Sequence, residues 1–318
     1  MDNQIRIGLQ SHSLLSVECN AHQSQELRDY FSFFVPGYRF MPAYKSRRWD
    51  GKIKLYNMVT KTLPVGLYTH LRKFCGDRFY PLQLIEHEEY GHPAMKNKVD
   101  HPELMKELKG YDAPFDVRGY QYDAIVHGIE NKRCLLLSPT GSGKSFIIYN
   151  LMRWLLERTS NKVLIVVPTT SLVEQMYKDF IEYGWNAEDH CHRIYAGRER
   201  TNENEVTITT WQSVYNLDKT FFADYDVIIG DEAHLFKSKS LVNIMDKLHH
   251  AKYRFGFTGT LDGTQTHKWV LEGLFGPSYK VIQTKELMEK GHLSELDIQC
   301  LVLKHTPKKF ETYEDEIQ

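Results

Sequence analysis

SPTGSGKS, residues 138–145, follows the apolar run CLLL at 134–137 and opens onto FIIYNLMRWLL. A strand, a glycine-rich turn and a helix in that order form the context in which G-x-x-x-x-G-K-[ST] binds phosphate, and the one departure is Ser138 where the strict formula has its first glycine. A helix N-terminus offers unpaired N–H groups and positive dipole density to phosphate oxygens. On this reading Thr140, Gly141, Ser142, Gly143, Lys144 and Ser145 cradle a nucleoside triphosphate. The glycines let the backbone approach, Lys144 reaches the β and γ oxygens, and the Ser145 hydroxyl ligates Mg²⁺.

Outward from this loop, short β-branched runs alternate with helical patterns, which is the signature of an α/β domain with a mostly parallel sheet. The expected strands are Arg193 to Ala196, Val206 to Thr210, Val227 to Gly230 and Arg254 to Thr258, besides Arg133 to Leu137 and Lys162 to Val167. The expected helices are Gly143 to Glu157, Ser171 to Tyr183, Trp211 to Asn216, Leu241 to His249 and His267 to Leu274. VIIGDEAHLF, residues 227–236, sets Asp231 and Glu232 at the carboxyl end of an apolar strand, where parallel sheets bind ligands. Asp231 is suited to hold Mg²⁺ and Glu232 to orient and deprotonate the water that attacks the γ-phosphate. This chemistry requires the ends bearing Lys144 and Asp231 to lie side by side.

Residues 1–90 read as a small α+β domain. Leu27, Tyr30, Phe31 and Phe34, and again Leu67, Leu71 and Phe74, recur at helical spacing, with Gly76 as the second helix's cap. Between them YRFMPAYKSRRWDGKIKLY, 38–56, alternates apolar and polar residues around Asp50-Gly51, the pattern of a tight hairpin. Arg39, Lys45, Arg47, Arg48, Lys52 and Lys54 crowd this stretch against the single acid Asp50. Arg47, Arg48, Trp49 and Lys52 are its candidate DNA contacts, although an alternating strand also exposes one polar face for purely structural reasons. Residues 91–112, rich in Gly and Pro, read as a linker with a helix from Glu103 to Leu108, followed by the phosphate-loop domain over 113–295.

With 318 residues and 42% apolar content the chain is long enough for two cores. Forty basic against 41 acidic residues leave a charge of -1, so any nucleic-acid surface has to be local. Five scattered cysteines without C-x-x-C spacing favour reduced thiols in a cytoplasm, and MDNQIRIG has neither the basic n-region nor the apolar h-region expected of a signal peptide.

Taken in order, PTGSGKS, VPTTSLVEQM, ITTWQSV, DEAH and FTGT resemble motifs I, Ia, Ic, II and III of the superfamily 2 helicases and translocases, over roughly residues 115 to 260. Serine at 138 is admissible in that superfamily. FDVRGYQYDAI, 115–125, resembles its Q-type motif, which implies Gln121 on the adenine and Phe115, Arg118 or Tyr120 as a stacking surface. The N-terminal pattern ELRDYFSFF, GYRF, RRWDGKIKLY and LPVGL, together with the motor, resembles bacteriophage recombination helicases, near the XPB and restriction-translocase branch. The resemblance implies a RecA-like P-loop domain, ATP and Mg²⁺ as cofactors, and branched or duplex DNA as partner. It assigns Lys144, Asp231 and Glu232 to catalysis, His234, Thr258 and Thr260 to coupling, and Pro168, Thr169 and Thr170 to a DNA strand. Trp211 and Gln212, after a strand end, either touch nucleic acid or simply start a helix. Such motors need a second RecA-like domain, and after GHLSELDIQCLVLKH only TPKKFETYEDEIQ follows. Residues 296–318 are therefore expected to begin the connection to it, with little ATP turnover from this chain alone, in a monomer of the (host) cytoplasm. The competing expectations are an RNA-remodelling helicase, since D-E-A-H also occurs there, and an ATP-gated DNA-binding module without catalysis.

Overall fold

A computed structural model describes residues 3–159, 162–195, 203–261, 265–294 and 301. Six short strands belong to the N-terminal body: β1 (Ile5–Leu9), β2 (Leu14–Glu18), β3 (Ser32–Phe34), β4 (Lys52–Lys54), β5 (Thr62–Pro64) and β6 (Leu82–Leu84). A mixed four-stranded sheet in the order β5-β2-β1-β6 packs against the helices Ala21–Tyr30 and Tyr68–Asp77, while β3 and β4 form a separate antiparallel ribbon.

The larger body holds β7 (Arg133–Leu137), β8 (Lys162–Val167), β9 (Cys191–Ile194), β10 (Val206–Thr210), β11 (Tyr225–Gly230), β12 (Tyr253–Thr258) and β13 (Ser278–Lys280). They form one seven-stranded sheet, β13-β7-β12-β11-β8-β10-β9, parallel throughout. Both faces are covered by helices, so a strand such as KVLIVV is apolar at every interior position. Val163, Ile165 and Val167 enter the core on one face, and Leu164 and Val166 the core on the other. This is the expected RecA-like α/β fold with a small α+β domain before it.

Several local expectations give way. Phe34 lies in β3 and is 50% exposed, because the helix that buries Leu27 ends at Tyr30. Gly76 sits inside its helix, which Arg78 caps, and Phe79 takes the left-handed conformation with φ +56° as Tyr80 N–H returns to the Cys75 carbonyl. The hairpin over 38–56 is replaced by two helical turns, Tyr38–Phe40 and Pro42–Lys45, before β4 pairs with β3. Pro42 has no N–H for a ladder and sits at the start of a helical turn instead. Gly51 does take φ +80°, and a Cβ there would lie 2.4 Å from the Tyr38 ring. The helix expected at Glu103–Leu108 runs His101–Gly110, capped by Asp100, with Leu104 and Leu108 buried in the larger core. The strand expected at Arg193–Ala196 runs Cys191–Ile194, and Ala196 lies outside the described residues. The three-residue β13 escaped the sequence reading because it is too short to show a period.

Candidate functional site

The phosphate loop leaves β7 at Leu137 and enters the helix Lys144–Leu156, with Gly141 at φ +80° and Gly143 at φ +77°. Ser138 is fully buried, and its hydroxyl lies 2.6 Å from the Ser142 hydroxyl, which donates to the Pro139 carbonyl at 2.5 Å. The serine that breaks the strict formula thus ties the loop's entry to its middle. Gln121 donates through Nε2 to the Ser142 carbonyl at 3.0 Å, which also accepts from the Tyr120 hydroxyl at 3.0 Å. The other end of the Gln121 amide accepts from the Arg118 N–H, and Arg118 Nη1 donates to the Tyr120 hydroxyl, both at 3.0 Å. Gln121 is only 4% exposed, so in this state it braces the loop from behind. A Cβ on Gly143 would lie 2.4 Å from its Nε2, so any larger residue there has to push the glutamine amide aside besides adopting φ +77°. Phe115, 60% exposed, stands beside the site edge-on to Phe146 and Tyr183, open for stacking. Thr140 is exposed at the loop's tip.

β7 and β11 are not neighbours, because β12 runs between them. The side chains nevertheless meet across it: Lys144 Nζ is 2.9 Å from Glu232 Oε1 and 3.8 Å from Asp231 Oδ1. Asp231 N–H continues the ladder to the Val166 carbonyl at 3.0 Å, and its carboxylate accepts from the Glu232 N–H at 2.9 Å. Burial pushes the Asp231 carboxyl above the usual carboxylate range, with Lys144 pulling it back. Glu232 sits at φ +48°, a left-handed conformation that costs a non-glycine residue about 1–3 kcal/mol and that often marks functional sites. From there Glu232 Oε2 reaches His234 Nδ1 at 3.4 Å, and His234 Nδ1 is 3.0 Å from the Thr258 hydroxyl, which donates to the Thr260 carbonyl at 2.9 Å. The residues expected to couple therefore form one chain from the second carboxylate to the end of β12. The Asp231 and Glu232 carboxylates offer oxygen ligands of the kind that Mg²⁺ prefers, and the Lys144 ammonium between them suits a phosphate, so these residues fit that ion together with a triphosphate.

Two contacts at this site could not be read from the sequence. Ser145 Oγ lies 2.8 Å from the Tyr183 hydroxyl, so its expected metal-ligating role requires that bond to open. Tyr183 continues the buried spacing of Tyr177 and Phe180, which marks it as a core residue but not as a phosphate-loop partner. Leu293 covers Gly141, where a Cβ would lie 2.5 Å from its Cδ2.

The candidate DNA residues fall in two places. Arg47 and Arg48 are exposed, and among the described residues neither has an acidic partner. With Arg39, Lys45, Trp49 and Lys54 they line an open depression of about 710 Å³. Trp49 is half-buried and donates its indole N–H to the Lys52 carbonyl at 2.9 Å, and Lys52 Nζ lies 4.8 Å over the Phe34 ring. On the larger body, Thr169 caps the helix Thr170–Glu182 by accepting from the Leu172 N–H at 3.3 Å, with Pro168 half-buried and Thr170 exposed. Trp211 packs partly buried against the core and Gln212 points out, both on the short helix Trp211–Val214.

Comparison with known proteins accords with this geometry. Residues 4–84 match the family described as DNA helicase UvsW, N-terminal, and residues 114–263 match Type III restriction enzyme, res subunit. The ATP-dependent DNA helicase uvsW of Enterobacteria phage T4 is 33% identical across 99% of this chain, which spans 64% of that relative's length. The DNA 3'-5' translocase XPB2 of Sulfurisphaera tokodaii is 23% identical, with 90% of this chain and 57% of that protein covered. A crystal structure of the UvsW helicase from bacteriophage T4 superposes with a TM-score of 0.79 at 31% identity, covering 88% of this chain and 100% of that one. Among the described residues, no helix is long and apolar enough to cross a membrane.

Proposed function

Because this chain belongs to the UvsW family of superfamily 2 helicases, we propose that the protein is an ATP-dependent DNA helicase or translocase acting on branched DNA in recombination, repair and replication-fork processing. The observation that carries the reading is the meeting of Lys144 with Asp231 and Glu232 across β12, at the carboxyl edge of a parallel sheet. Gly141 to Ser145 and the N-terminus of the following helix hold the phosphates, Lys144 turns from Glu232 to the γ-phosphate, and Ser145 and Asp231 hold Mg²⁺. When bound there, Mg²⁺ would supply neutralisation of charge on the phosphate oxygens. Glu232, released from Lys144, orients and deprotonates the attacking water. His234, Thr258 and Thr260 carry the state of that carboxylate to the segment after β12. Residues 1–90 and the surface around Pro168, Thr169, Thr170, Trp211 and Gln212 grip DNA. Residues 113–295 form one domain of a two-domain motor, joined to the N-terminal body by 91–112. The protein works as a monomer in the host cytoplasm.

The test is ATP turnover by the complete protein on forked DNA and on RNA. Forked DNA should stimulate and RNA should not. Glu232→Gln should lower turnover by about 10²–10⁴ while ATP still binds, whereas Lys144→Ala should weaken binding itself. Unwinding that survives Glu232→Gln, or equal stimulation by RNA, would refute the proposal.

A further inference from the structure

At the amino-terminal edge of the motor sheet, opposite the nucleotide site, the N-terminal body, the segment around Lys96 and the starts of β7 and β12 enclose a cavity of about 310 Å³. Arg72, Lys96, Lys132, Arg133 and Lys252 line it together with His12, and the described lining residues include no aspartate or glutamate. In a chain with net charge -1, five cations around one cavity without a carboxylate are a strong local imbalance.

Arg133, the first residue of β7, decides what the imbalance means. Its Nη2 donates to the His12 carbonyl at 3.0 Å, but Nη1 is closed to solvent and has no hydrogen-bond partner among the described residues. A buried guanidinium with an idle donor costs free energy unless something accepts from it. The neighbouring charges press in the same sense: burial pushes Arg133 down to about 10 and His12 down to about 3, and Arg133 and Lys252 add to the burial effect on His12. Burial also lowers Lys132, reinforced by Lys252 and Arg133.

We propose that this cavity binds a small, multiply charged phosphate anion, of the class of pyrophosphate or a nucleoside diphosphate. The volume is at the lower end of ligand pockets, enough for a few phosphoryl groups and too small for a nucleic-acid strand. Guanidinium and ammonium donors together suit phosphoryl oxygens. Tyr90, edge-on to His12 at 5.2 Å, supplies an apolar wall for the group that carries the phosphates. Because both bodies contribute donors, the bound anion braces one against the other.

The experiment is calorimetric titration of the complete protein with inorganic pyrophosphate in a Lys144→Ala background, which disables the phosphate loop. Pyrophosphate should still bind at one site per chain, more weakly as salt rises. Replacing the exposed Lys96 and Lys252 by alanine should weaken that binding ten-fold or more and leave Mg·ATP binding by a protein with Lys144 intact unchanged. No binding in the Lys144→Ala protein, or a loss smaller than ten-fold on removing the two lysines, overturns the proposal. Since every pyrophosphate titration is made with the phosphate loop disabled, neither result bears on the helicase reading.

Discussion

Gly143→Ala tests whether Gln121 serves as the buttress of the phosphate loop. At φ +77° an alanine pays about 1–2 kcal/mol for the left-handed conformation. Its Cβ would also lie 2.4 Å from Gln121 Nε2, so the glutamine amide has to swing away and drop its 3.0 Å bond to the Ser142 carbonyl. That bond contributes about 1 kcal/mol net; the Ser142 carbonyl keeps the Tyr120 hydroxyl as donor, while the Gln121 amide, 4% exposed, loses its acceptor. The expected loss is about 2–3 kcal/mol of folding stability, with weaker nucleotide binding. In a Gln121→Ala background the clash and the bond are already gone, so the same substitution should cost only the backbone share, about 1–2 kcal/mol. Urea unfolding of the four proteins reads the difference directly. Equal penalties in both backgrounds, within about 0.3–0.5 kcal/mol, would show that the two residues act independently and refute the argument.

Replacing Arg47 and Arg48 by alanine should weaken DNA binding and flatten its dependence on the logarithm of salt concentration by about 2, at roughly 0.9 for each phosphate no longer neutralised; an unchanged slope would make the patch scaffold. Glu272 should make the joint between the two bodies acid-sensitive. Burial opposes its ionisation, but hydrogen bonds from His70 at 2.8 Å and from the Ser278 hydroxyl and N–H at 2.8 and 3.0 Å hold its carboxyl below the ordinary value of 4.5. A depressed folded-state pKa contributes stability that is complete above the unfolded value and is lost as pH falls through the folded one. The stability gap between the wild type and Glu272→Gln should therefore be widest near neutrality and shrink below about pH 4.5; a gap independent of pH would count against the ionised carboxylate.

The motor sheet was legible because a strand buried on both faces must be apolar throughout, as KVLIVV is, and because phosphate and metal chemistry demands fixed residue types at fixed spacing. Lys144, Asp231 and Glu232 were readable for that reason although the strands that present them are not adjacent. Segment 38–56 misled because its aromatic and basic residues alternate like a strand while Pro42 and the Tyr38 ring over Gly51 impose helical turns. Tyr183 on Ser145 and Arg133 against His12 depend on how distant elements dock, which leaves no mark on local periodicity.

The joint between the bodies illustrates how such long-range docking governs the molecule. The helix Gln265–Phe275 carries Leu271 and Phe275 into the core of the larger body, yet its Trp269 belongs to the N-terminal core, within 5.6 Å of Tyr30, Phe31, Phe33 and His70 by ring centres. Backbone meets backbone there: a Cβ on Gly66 would lie 1.8 Å from the Glu272 carbonyl oxygen. Phe33 is the middle residue of β3, the strand paired with β4, and β4 supplies Lys52 and Lys54 beside the basic depression. The basic surface is thus mounted on the motor through a packed aromatic joint on the helix that follows Thr258 and Thr260, and its position relative to the nucleotide site is set by that packing, whatever the composition of segment 91–112.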